Sequence, residues 1–91
     1  MTDKIKISLT LRERHLIINE TFADTHLTEP LERAQIEDDL ITVYYSPQDL
    51  EELIGFIAAE ANQTDDKALE ADLDSVFDKL SDILDNYEGQ K

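Results

Sequence analysis

Carboxylates at a repeated spacing dominate the chemistry available to this chain. Glu70, Asp74, Asp78, Asp82 and Asp85 lie near its C-terminus, the first four at steps of four residues, and Glu88 extends the set. Residues four apart on a helix stand one above the other, so these side chains would form one ridge. Each stacked pair of like charges costs an isolated helix about 0.2–0.5 kcal/mol. The axial step is about 6 Å, close to the spacing of phosphates along a nucleic-acid strand. Three uses are open to such a ridge. It can be a solvated face that keeps a small protein dispersed, a docking face for a basic protein, or a decoy that imitates DNA.

Other titratable residues offer less. Glu60 stands at the edge of one apolar stripe and His15 within another. If the chain were an enzyme, these two would be its acid–base pair. The plainer reading gives Glu60 a packed stem with its carboxylate reaching Arg12 or Arg14, and makes His15 a packed, hydrogen-bonded residue. His26 lies near Asp24, but with His15 it shows no metal-ligand spacing. Asp72 and Asp74 lack the glycine and the pattern of a calcium loop. There is no cysteine, which removes disulfides, thiolate metal sites and a cysteine nucleophile. With only Gly55 and Gly89, no glycine-rich loop can cradle a phosphate, and no nucleophile elbow is present. The expectation is a protein without catalytic residues, cofactor or metal.

The net charge is −14 and it is unevenly spread. Lys4, Lys6, Arg12 and Arg14 offset the acids of residues 1–20, whereas Arg33 stands alone against ten acids over residues 21–64. Phosphates would repel such a chain, so direct binding to nucleic acid or to an anionic membrane is not expected, and a basic protein is the expected partner. No apolar run approaches the roughly 20 residues of a membrane span. Lys4 and Lys6 interrupt the N-terminal apolar residues, unlike a secretory signal. A cytoplasmic location is expected. A length of 91 residues points to one domain over 1–91, with 88–91 a frayed tail. The 41% hydrophobic content argues against wholesale disorder.

The elements follow from spacing. Ile5, Ile7 and Leu9 alternate with Lys6 and Ser8, predicting a half-buried strand over about 4–9. Thr10 and Glu13 match a capping box, and Leu11, His15, Ile18 and Phe22 follow at helical spacing, predicting a helix over 11–21. The rival is a hairpin with Leu16-Ile17-Ile18 as the returning strand. Its turn, Arg12-Glu13-Arg14-His15, would lack the usual turn residues. Pro30 suggests a short helix over 29–34 with Thr28 or Glu29 as cap. Glu37-Asp38-Asp39 reads as an acidic turn, Leu40–Tyr45 as a strand, and residues 34–36 as a short arm pairing with it.

Ser46-Pro47 then opens the element around which the fold is arranged: Ser46 as N-cap and Pro47 at the first helical position. Leu50, Leu53, Ile54, Ile57, Ala58 and Ala61 make its stripe. Gly55 interrupts it, either admitting a neighbouring backbone or simply tolerated. Thr64 is the expected cap of a last helix over 65–87, with Asp65 and Asp66 in its first turn. Leu69, Leu73, Val76, Leu80, Ile83 and Tyr87 form the stripe of that helix. Two such helices joined by a short link should form an antiparallel αα-hairpin.

The run Leu9-Thr10-Leu11-Arg12-Glu13-Arg14 resembles the opening of the first helix in LuxR-type DNA-binding domains. The second helix and the basic recognition helix of that pattern have no counterpart here. The resemblance therefore implies a helix start and carries over no functional residue.

The expected fold is α+β: a two- or three-stranded sheet packed against an antiparallel αα-hairpin, with one or two further short helices. The expected function is that of a small, acidic, non-catalytic interaction or regulatory domain that binds through Glu70, Asp74, Asp78, Asp82 and Asp85. The alternative is a nucleic-acid mimic that inhibits a DNA-binding protein through the same face.

Overall fold

The computed structural model describes residues 4–89, with side chains through Tyr87. The elements run β1 (Ile5–Thr10), α1 (Leu11–Glu20), α2 (Thr25–Arg33), β2 (Ile36–Glu37), β3 (Leu40–Tyr45), α3 (Pro47–Gln63) and α4 (Lys67–Gly89). The three strands form an antiparallel sheet in the order β1-β3-β2. The fold is thus α+β, with the helices gathered on one face of the sheet. Of the tail expected over 88–91, the backbone at 88 and 89 belongs to α4, and the Glu88 side chain and residues 90–91 lie outside the described part.

Alternation decides which face of the sheet is covered. Ile5, Ile7 and Leu9 of β1 stand opposite Tyr45, Val43 and Ile41 of β3, and all six are buried. The intervening pairs, Lys6 with Tyr44, Ser8 with Thr42 and Thr10 with Leu40, face solvent. Asp38 and Asp39 close the β2–β3 hairpin with φ of 54° and 65°. Two left-handed residues in a two-residue loop match the twist of paired strands, and aspartate is among the few side chains that tolerate that region. Residues 34–36 were the expected arm; the pairing falls one step later, at Ile36 and Glu37.

Against the covered face pack the helical hairpin and the two shorter helices. Helices α3 and α4 pack together, and Leu50, Leu53 and Ile57 of the one and Leu73, Val76 and Leu80 of the other are almost wholly buried in the shared core. Burying one such side chain contributes about 1.5–3 kcal/mol. Leu27 and Leu31 of α2 and Leu16 and Ile17 of α1 complete the core. The Tyr45 hydroxyl donates to the Leu27 carbonyl and so ties α2 to the end of β3. Burial pushes this phenol well above its ordinary pKa, and nearby Asp49 adds to the shift.

Local caps explain the helix starts. Thr10 Oγ1 accepts the Glu13 amide at 3.1 Å and Glu13 Oε1 accepts the Thr10 amide at 2.8 Å, the reciprocal pair of a capping box. Ser46 Oγ accepts the Asp49 amide at 3.1 Å, with Pro47 at the first helical position. Three expectations are corrected. Helix α2 starts at Thr25, not 29, with Asp24 as cap and Pro30 inside it. Helix α4 starts at Lys67, because Asp66 takes the capping role and accepts the Ala68 and Leu69 amides. Thr64 instead closes α3, its amide donating to the Glu60 carbonyl at 3.0 Å.

The third correction concerns α1, whose helix is as expected but whose inward face is not. Leu16 and Ile17 are buried, while His15 is exposed and Phe22, beyond the helix end, is 82% exposed. With no linker between β1 and α1, the strand's alternation fixes the helix rotation. Leu9 must point into the core, and the turns that follow bring Leu16 and Ile17 in after it.

Candidate functional site

Along the outward face of α4, Asp74, Asp78, Asp82 and Asp85 are exposed and Glu70 is half-buried. The ridge predicted from spacing is therefore a real surface of the fold, built because Leu73, Val76, Leu80 and Leu84 occupy the opposite side. No ion pair among the described residues neutralises any of these five carboxylates.

Two cations near the ridge are turned away from it. The Arg12 guanidinium, on α1, pairs with Asp72. The Lys79 ammonium, on α4, donates to Glu13 Oε1 at 2.8 Å. That oxygen also accepts the Thr10 amide, so one carboxylate serves the cap of α1 and the junction with α4. Partial burial works to raise the Glu13 pKa, but hydrogen bonds from Lys79 and Thr10 outweigh it and hold the carboxyl below its ordinary 4.5. These two cross-links orient α4 with its acidic face outward.

A second surface was not anticipated. The outer face of the sheet is uncovered, and Ser8, Glu37, Leu40, Thr42 and Tyr44 line a shallow hollow of about 490 Å³ there. Tyr44 is 54% exposed at its centre strand. The signal lay in β3 itself: Leu40, Thr42 and Tyr44 alternate with Ile41, Val43 and Tyr45, so one set had to face away from the helices.

The proposed acid–base pair is not assembled. His15 lies exposed on α1, its Nδ1 3.0 Å from the Asn19 amide nitrogen. The hollow beside it is lined by Arg12, Glu20, Asp66, Leu69 and Asp72, without Glu60. Glu60, half-buried on α3, pairs with neither Arg12 nor Arg14. Arg12 instead pairs with Asp72 of α4. No charged residue is buried among the described residues, and every buried side-chain polar atom there has a partner.

One mixed cluster does converge. His26, in the first turn of α2, meets Asp49 and Glu52, in the first two turns of α3, with their ligand-type atoms within 4.8 Å of one another. Asp24 and His15, the companions considered for His26 from sequence, are not part of it. Comparison with known proteins gives no matching family model, no matching curated protein and no matching solved structure. The LuxR-type resemblance at residues 9–14 thus stays a shared helix start. No helix among the described residues is long and apolar enough to cross a membrane.

Proposed function

We propose that this protein is a non-catalytic interaction domain that docks, through the outer face of α4, onto a basic surface of a partner protein. One observation carries the reading. Among the described residues, Asp74, Asp78, Asp82 and Asp85 have no ion-pair partner on one exposed face, while Arg12 and Lys79 pair with Asp72 and Glu13. A face used only for solubility gains nothing from like charges stacked at four-residue steps, which cost the helix stability. Lysines and arginines brought in by a partner would relieve that repulsion. Such contacts act mainly on association rate and partner choice.

The second reading, DNA mimicry, is favoured by the continuity of the ridge. Helix α4 is unbroken over 23 residues, so its carboxylates repeat at about 6 Å along one continuous element. In that case the basic partner is a DNA-binding protein whose DNA competes for the same surface.

The test uses immobilised protein and extract from the source cell. A basic protein should be retained at about 0.1 M salt and released towards about 1 M, as the Debye length falls from about 10 to 3 Å. The variant D74N/D78N/D82N should fail to retain it. If the triple variant captures the same proteins with the same salt dependence, the ridge has no part in binding. Displacement of the captured protein by duplex DNA would select mimicry, and retention despite excess DNA would exclude it.

A further inference from the structure

We propose that His26, Asp49 and Glu52 form a binding site for a divalent transition-metal ion of the zinc type. The site is independent of the α4 ridge. His26 Nε2 is 3.5 Å from Glu52 Oε2, and all three ligand-type atoms lie within 4.8 Å of one another. Two ligands on a tetrahedral zinc ion, each about 2.0–2.1 Å from the metal, are about 3.3 Å apart. The imidazole and the Glu52 carboxylate therefore already stand near ligand spacing. Asp49 needs only a side-chain adjustment to reach the same point.

The placement of the three is fixed by packing rather than by their mutual contact. Tyr45, at the end of β3, is buried and donates to the Leu27 carbonyl, which holds the residue next to His26 in place. Ser46 follows Tyr45 and caps α3 through the Asp49 amide, which sets the first turn of that helix. Glu52 lies three residues on, on the same side of α3 as Asp49. The rigid step from β3 into α3 thus presents two carboxylates to a histidine from a separate helix.

The chemistry of the set selects the metal. One imidazole nitrogen and two carboxylates suit zinc and similar ions, with the remaining position left to water, whereas calcium and magnesium favour all-oxygen shells. The net charge of −14 raises the local concentration of any cation. An ion held here would join α2 to α3 and so stabilise the folded state by mass action.

Isothermal titration calorimetry with zinc chloride, on protein carrying no affinity tag, tests the proposal. One equivalent should bind, and His26→Ala or Glu52→Gln should weaken binding at least about tenfold. His15→Ala and Asp78→Asn should not change it, and the imidazole signals of His26, not His15, should shift on titration. Magnesium at the same concentration should give no saturable binding. Either of two results would overturn the site: zinc affinity equal in wild type and His26→Ala, or magnesium binding as well as zinc, which would mean diffuse attraction to acidic surface. The three side chains are at least partly exposed, so the variants should fold, and a far-UV spectrum and thermal melt without metal verify that they do.

Discussion

Glu13 joins two structures that are remote in sequence, the start of α1 and the middle of α4. Replacing it with Gln keeps the shape but removes the charge that Lys79 meets. The variant should lose about 1 kcal/mol at neutral pH. Because the folded-state pKa is lowered, the ionised carboxylate stabilises the fold fully above its ordinary 4.5 and loses that effect as pH falls through the lower folded value. Urea melts of wild type and Glu13→Gln should therefore differ at neutral pH and converge in acid, once the pH has fallen below the lowered folded-state pKa. A difference that persists unchanged in acid would show that the charge contributes nothing. Gly55 gives an independent residue-scale prediction. It is exposed within α3, and a methyl group there would meet nothing within 4 Å. Of the two roles open to it in the sequence, admitting a backbone is excluded. Gly55→Ala should stabilise the protein by about 0.4–1 kcal/mol, and a loss in the same melts would contradict this.

Helices α3 and α4 pack against one another, and their stripes were plain in the sequence. Leu80→Ala should cost about 2–5 kcal/mol, a large share of a small domain's stability; a denaturant midpoint close to wild type would mean that the hairpin is loosely packed. The elements legible in advance were those with a local signal: the Ser46-Pro47 start, the Thr10–Glu13 capping box, and the alternation of β1 and β3. Helix α2 was misplaced because Pro30 suggested a start, whereas Asp24 is the cap and Pro30 lies inside the helix. The face of α1 was misread because its short apolar pattern fits two rotations, and only the junction with β1 chooses between them. The α4 ridge was legible because its spacing lies within one helix. The cluster of His26, Asp49 and Glu52 was not, because its members come from two helices whose approach depends on Tyr45 and Leu27.

At the scale of the molecule, the two exposed faces differ in chemistry. The outer sheet face carries Lys6 and Glu37 beside Leu40, Thr42 and Tyr44, whereas α4 presents an unbroken acidic row. Charge density sets them apart: a basic partner is drawn more strongly to the row of carboxylates on α4 than to a face where Lys6 offsets acids. On the proposed function, binding takes place on α4. Amide chemical-shift mapping of the labelled protein, titrated with the partner captured by the wild type, tests it most directly. Shifts and intensity losses should centre on Asp74, Asp78, Asp82 and Asp85 and fade as salt is raised. Perturbations centred on Lys6, Leu40, Thr42 and Tyr44, with α4 unchanged, would contradict the claim.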